Sequence, residues 1–139
     1  MAEAVFHEMV EDAGLQNTIE VDSAGTGSWH VGETAHPGTI RVLADNGINY
    51  RGRARVVNKQ DVVDPNSYVI AVDTSTMQTL QQRFGEIPNL YLLLDFAENT
   101  SERDVPDPYF EGNFEYVYEL VEDASRGLLA ALAEQEGLM

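Results

Sequence analysis

No cysteine occurs among the 139 residues, which excludes disulfides, thiolate metal sites and a thiol nucleophile supplied from within them. Any thiol mechanism has to take its sulfur from elsewhere. Histidine is scarce: His7, His30 and His36 have no paired metal-binding spacing, so no metal site is expected. Lysine is represented by Lys59 alone, and 8 basic against 24 acidic residues leave a net charge of −16. A surface of that sign repels nucleic acid and anionic membranes, and neither is an expected partner. No apolar run approaches the length that crosses a bilayer. The opening Met1-Ala2-Glu3-Ala4 lacks both the basic and the apolar region of a secretory signal, so the expected location is cytoplasmic.

What is present suits a folded globule. The chain is 43% hydrophobic and 9% aromatic, with no linker, repeat or low-complexity tract, and reads as a single domain over residues 1–139. Residues 2–13 place Ala2, Val5, Phe6, Met9 and Val10 at helical spacing and stop at Gly14. Residues 18–24 alternate as a short strand, released into a loop by Gly25-Thr26-Gly27. Pro37 can start a second helix that buries Ile40, Leu43 and Ala44 and stops at Gly47. Residues 68–72 and 90–94 are nearly all apolar, as strands covered on both faces are. Between them Asp73, Thr74 and Ser75 can cap a helix that ends at Gly85. Residues 113–134 form a long helix with Phe114, Val117, Tyr118, Val121, Leu128, Leu129 and Leu132 near one stripe. Its acids Glu115, Glu119, Glu122 and Asp123, with Glu111 before it, read as a solvated face. The order α-β-α-β-α-β-α predicts an α/β fold, an open parallel sheet with helices on both faces. Such sheets bind ligands at the carboxyl ends of their strands.

One loop stands out chemically. Val105-Pro106-Asp107-Pro108-Tyr109-Phe110 brackets a carboxylate between two prolines and follows it with two aromatics. The prolines restrict the backbone and so fix the direction of Asp107. Apolar surface beside a carboxyl raises its pKa towards values useful for donating a proton near neutrality. Asp-Pro is also a common turn dipeptide, and the loop taken alone fits that reading as well.

Several short motifs together carry a family resemblance. They are Met1-Ala2-Glu3-Ala4-Val5-Phe6, Asp22-Ser23-Ala24-Gly25-Thr26, Trp29-His30-Val31-Gly32, Gly47-Ile48-Asn49, Ala54-Arg55, Ala71-Val72-Asp73 and Asp107-Pro108-Tyr109-Phe110. In this order and spacing the chain resembles a low-molecular-weight protein tyrosine phosphatase over essentially its whole length. The resemblance implies a three-layer fold with a normally four-stranded parallel sheet. It also implies hydrolysis of phosphotyrosine through a cysteinyl-phosphate intermediate, without metal or cofactor. Asp107 corresponds to the general acid and base, and Trp29, Tyr109 and Phe110 to the walls of the phosphotyrosine cleft. Ser23 and Asp73 correspond to polar residues that support the phosphate loop, although each is by itself an ordinary cap or turn residue. The implied substrate is a phosphotyrosine protein or a small aryl phosphate.

Two departures shape the expectation. The family often shows His-x-Ala-Arg-Gln where this chain has Gly52-Arg53-Ala54-Arg55-Val56, without the histidine and glutamine associated with supporting the phosphate loop. The Cys-x5-Arg-Ser/Thr-Pro loop itself, and the central strand that precedes it, have no counterpart. The expectation is therefore an N-terminally truncated domain, inactive as it stands for lack of a nucleophile, with exposed sheet edges that favour self-association. The alternative is a non-catalytic interaction or regulatory short form. A thiol-dependent arsenate reductase shares the fold but relies on further cysteines, and this chain has none.

Overall fold

The computed structural model describes residues 1–27, 32, 36–50, 52, 54–106 and 113–138. Helix α1 (Ala2–Asp12) buries Ala4, Val5, Phe6 and Val10. It closes at Gly14, whose φ of +74° suits glycine, and the Leu15 N–H then donates to the Val10 carbonyl. Helix α2 (Pro37–Asp45) starts at a proline, and the His36 ring accepts from the Gly38 N–H. Its inner face is not the expected one. Thr39, Val42 and Leu43 are buried, whereas Ile40 is 38% exposed and Ala44 faces solvent. The cause is Gly38: a Cβ there would lie 2.5 Å from the Phe114 ring, so the helix rests on Phe114 through the glycine and turns the 38/42 and 39/43 rows inward.

Residues 18–24 form no strand, contrary to their alternating pattern. Ile19 and Val21 do pack on the core. A strand also requires a paired backbone, and pairing begins only at Gly25, which bridges to Val56 in parallel. Helix α3 (Lys59–Val63) was not anticipated; a reciprocal capping box between Asn58 and Asp61 forms its start.

Strand β1 (Val69–Ala71) runs parallel to β2 (Leu90–Leu92), with Val69, Ile70 and Ala71 opposite Leu90, Tyr91 and Leu92. Helix α4 (Thr74–Phe84) connects them. The apolar run 90–94 is divided, because Leu93–Phe96 turns into a 3-10 helix that buries Leu93 and Leu94. Apolar content alone does not separate a buried strand from a buried helical turn. Helix α5 (Phe114–Gln135) buries the expected stripe apart from Leu129, which is half-buried.

The sheet has two covered faces, giving the three layers of the expected α/β class. On one side Tyr68 and Ile70 join the large core of α1, α2, α5 and the 3-10 turn. On the other, Ala71 and Leu92 meet Leu80 of α4, flanked by Val69, Met77, Phe84 and Leu90. The alternation follows the two-residue period of a strand. Asp123 is the exception on the acidic helix. It is buried, and its carboxylate accepts from the Glu98 N–H and from the backbone and side-chain N–H groups of Asn99, so it holds the turn after the 3-10 helix rather than joining a solvated face. Among the described residues no helix is long and apolar enough to cross a membrane.

Candidate active site

The carboxyl end of β1 is where an open parallel sheet offers a ligand site, and several polar groups collect there. The Val72 carbonyl accepts from the Val105 N–H at 2.9 Å. One residue earlier in that loop, Asp104 accepts from the Thr74 N–H at 2.8 Å and faces the Thr74 hydroxyl. Asp73 accepts from the Thr76 N–H at 2.7 Å as the N-cap of α4. Two carboxylates therefore occupy the first amides of α4. Asp104 and Val105 thereby anchor residues 104–106 at this end of the sheet.

A second cluster surrounds the first turn of α1. The Ser23 hydroxyl donates to Glu3 Oε1 at 2.7 Å, and the Tyr50 hydroxyl donates to the same oxygen at 2.6 Å. Burial, with the Glu3 bond and charge adding to it and a hydrogen bond from Ser23 opposing, pushes the Tyr50 phenol up to about 12. It is a neutral donor throughout the physiological range. Among the described residues no side chain caps α1.

Beside this cluster Arg55 binds Asp61 through two parallel hydrogen bonds of 3.0 Å and Asp22 through one of 2.9 Å. The Asp61 bond, ahead of the Asp22 charge, raises the guanidinium further above its already high range. Arg55 in turn lowers Asp61, helped by the Asn58 N–H. Two carboxylates thus engage Arg55, and it secures the 54–57 segment, where the Gly25 N–H donates to the Arg55 carbonyl and the Val57 N–H to the Gly25 carbonyl, both at 2.8 Å.

Of the residues named from sequence, Ser23 and Asp73 lie in separate clusters, and among the described residues no hydrogen bond joins them. Asp107, Trp29, Tyr109 and Phe110 lie outside the described residues. Sequence reasoning did not single out Glu3, Tyr50 or Asp104 as polar hubs. Glu3 was visible inside Met1-Ala2-Glu3-Ala4 as an acid in the first turn of a helix. Tyr50 and Asp104 gave no such signal, since their partners are 47 and 30 residues away. Among the described residues no cluster of three histidine or acidic side chains is arranged to hold a metal ion.

The comparisons decide the lineage. A family model described as low molecular weight phosphotyrosine protein phosphatase matches residues 1–137. This chain belongs to that family. A low molecular weight protein-tyrosine-phosphatase of Streptomyces coelicolor is 44% identical over 142 residues, covering 97% of this chain and 86% of that protein. The Bacillus subtilis family member YfkJ is 39% identical over 141 residues, covering 99% and 90%. The YfkJ crystal structure superposes with a TM-score of 0.89 over 96% of this chain and 86% of that chain, at 38% identity. A protein tyrosine phosphatase from Entamoeba histolytica, in a product-state mimic, gives 0.87 at 31% identity, again over 96% and 86%. The fold of the family is thus present here, with two carboxylates at the start of α4 beside the carboxyl end of β1.

Proposed function

We propose that this chain supplies the scaffold, the leaving-group acid and the cleft walls of a protein tyrosine phosphatase acting on phosphotyrosine proteins or small aryl phosphates. A thiolate attacks phosphorus, the bond from phosphorus to the phenolic oxygen breaks, and Asp107 gives its proton to the departing phenolate. Water then attacks the cysteinyl phosphate while Asp107 takes a proton back, which releases phosphate and regenerates the thiolate. Trp29, Tyr109 and Phe110 line the cleft, and Ser23 and Asp73 support the phosphate-holding segment. The thiolate has to be provided from outside these 139 residues, which contain no cysteine.

The observation that carries this reading is the anchoring of Val105 at the Val72 carbonyl. It ties the segment leading into Asp107 to the end of the sheet where α/β ligands bind. The start of α4 supports it further, because Asp73 and Asp104 bind its first amides and hold polar groups at the same end of the sheet.

The test joins the 139-residue chain to a first strand and Cys-x5-Arg-Ser/Thr-Pro loop taken from a relative. The expected result is turnover of p-nitrophenyl phosphate by the extended protein and none by the 139 residues alone. Asp107→Asn in the extended protein is expected to lower kcat by a factor of about 10² to 10³. A folded extended protein without turnover overturns the proposal.

A second reading, a non-catalytic form that self-associates, rests on the sheet edge. The Val69 N–H donates to the Asn89 carbonyl, so the two-residue period turns the Ile70 N–H and C=O to the opposite edge. Among the described residues no strand pairs there. Sedimentation of the 139-residue chain separates the readings: concentration-dependent dimers favour this one, and a monomer at all concentrations counts against it.

A further inference from the structure

Gly52 is not required by its backbone, because its φ lies outside the left-handed region that the other strained glycines occupy. It is required by space. A Cβ at position 52 would overlap the Tyr50 hydroxyl and Cζ and lie 2.8 Å from Cε1. The Tyr50 ring therefore folds back over the position-52 Cα, and its hydroxyl reaches Glu3 in the first turn of α1 through that space. This is the position at which the related pattern His-x-Ala-Arg-Gln places an imidazole.

We propose that Tyr50 is a positioning residue for the phosphatase site, its hydroxyl doing from position 50 what a ring at position 52 would otherwise do, with Gly52 as the vacancy that admits it. The residue acts through Glu3, which also receives the Ser23 hydroxyl on the same oxygen. One carboxylate oxygen thereby ties three separate segments together: α1, the 18–25 stretch and residues 48–50. Among the described residues the other charged groups facing this hub are Asp22 and, through Glu3, the Met1 amine. A phenol holds its proton well above physiological pH, whereas an imidazole titrates near it, so the exchange removes a titrating group from the neighbourhood of the phosphate-holding segment. The catalytic consequence rests on the phosphatase reading above, while the exchange itself does not.

The experiment is a double-mutant cycle on the 139-residue chain, read as melting temperature from pH 6 to 9. Gly52→Ala drives the phenol off Glu3 and is expected to lower the melting temperature by about 5 °C, and Tyr50→Phe by about 3 °C. In a Tyr50→Ala background the same Gly52→Ala change is expected to cost nothing, because the overlapping ring has gone. If Gly52→Ala alone does not fold, recovery of folding in that background reads the same coupling. Tyr50→Ala with Gly52→His is expected to regain stability over Tyr50→Ala at pH 6. The gain should fade towards pH 9, because a histidine bonded to Glu3 has a raised pKa and loses its stabilisation as pH rises through it. The difference between wild type and Tyr50→Phe stays constant over that range. Equal costs of Gly52→Ala with and without the Tyr50 ring overturn the exchange. In the extended phosphatase Tyr50→Phe is expected to lower kcat several-fold at unchanged KM. A silent extended wild type counts against the phosphatase reading, whereas an active one whose kcat ignores Tyr50→Phe overturns the positioning role.

Discussion

The sheet divides this molecule unequally. On one side β1 rests on a continuous core drawn from α1, α2, α5 and the 3-10 turn, where Val5, Val10, Leu43, Val117 and Val121 are almost fully enclosed. On the other, Leu80 is the one buried side chain of α4, and it meets only Ala71 and Leu92 as buried partners. The thick side is specified by burial. The thin side depends more on its end, where Asp73 and Asp104 bind the first amides of α4. The Asp73–Asp104 cluster of the candidate site lies at that end, where hydrogen bonds with direction rather than non-directional packing set geometry.

The largest expected effect breaks the thick side at its closest approach. A Cβ at Gly127 of α5 would land on the Phe96 carbonyl oxygen, 2.9 Å from its carbon. Backbone cannot swing aside as a side-chain end does. Gly127→Ala gains about 1 kcal/mol of helix propensity but is expected to lose more than about 3 kcal/mol net to overpacking, seen as an early urea midpoint. A midpoint at or above wild type would show that α5 and the 3-10 turn separate at little cost.

The comparison is sharpened by equal truncations on the two sides. Leu128 in α5 and Leu80 in α4 are both 5% exposed. Leu128→Ala is expected to cost about 3 kcal/mol, because its neighbours are held on all sides and leave a cavity. Leu80→Ala is expected to cost about 2 kcal/mol, since a thin layer can settle into the space. Chemical denaturation of both variants checks the order, and a reversal would mean that the α4 layer is the more rigid.

How much of this was legible in the sequence depends on the kind of contact. Helices α1 and α5 were readable because their apolar positions recur at helical spacing, with Gly14 as the stop of α1, and α4 because Asp73-Thr74-Ser75 offers a cap and Gly85 a stop. Residues 18–24 show the limit. Their alternation predicts a face, which Ile19 and Val21 do present to the core, but a strand needs a paired neighbour and no periodicity supplies one. The inner face of α2 was misread for a similar reason: Phe114, more than 70 residues away, decides it through Gly38. Asp123 looked like one more surface acid because its partners, Glu98 and Asn99, come from another segment. At the candidate site the capping role of Asp73 was visible, being local. The convergence of Ser23 and Tyr50 on Glu3 was not, because hydrogen bonds between distant segments leave no periodic trace.

Acid probes the ion pair beside the α1 cluster. Asp61 has its folded pKa held below the usual carboxylate range, chiefly by the Arg55 hydrogen bonds. A depressed carboxylate contributes stability that is complete above the unfolded pKa and lost as pH falls through the folded one. Both side chains are partly exposed, at 28% for Asp61 and 36% for Arg55, so solvent screening limits the contribution to about 1 kcal/mol. Arg55→Met is expected to lower stability at pH 6 while leaving it nearly unchanged at pH 2. Parallel pH–stability curves for variant and wild type would show that the ion pair adds nothing to stability.

The smallest effect lies inside the thick side and has the opposite sign. Ser125 is fully buried in α5, and among the described residues its hydroxyl has no hydrogen-bond partner. A buried hydroxyl left unpaired forfeits its hydration without return. Removing it restores an apolar contact, and alanine also suits a helix interior better than serine. Against this stands the small void left by one oxygen atom, so Ser125→Ala is expected to stabilise by about 0.5 kcal/mol. The corresponding rise in melting temperature is about 2 °C. A fall instead would mean that the hydroxyl is satisfied in solution, and that the thick side carries a polar contact in addition to its packing.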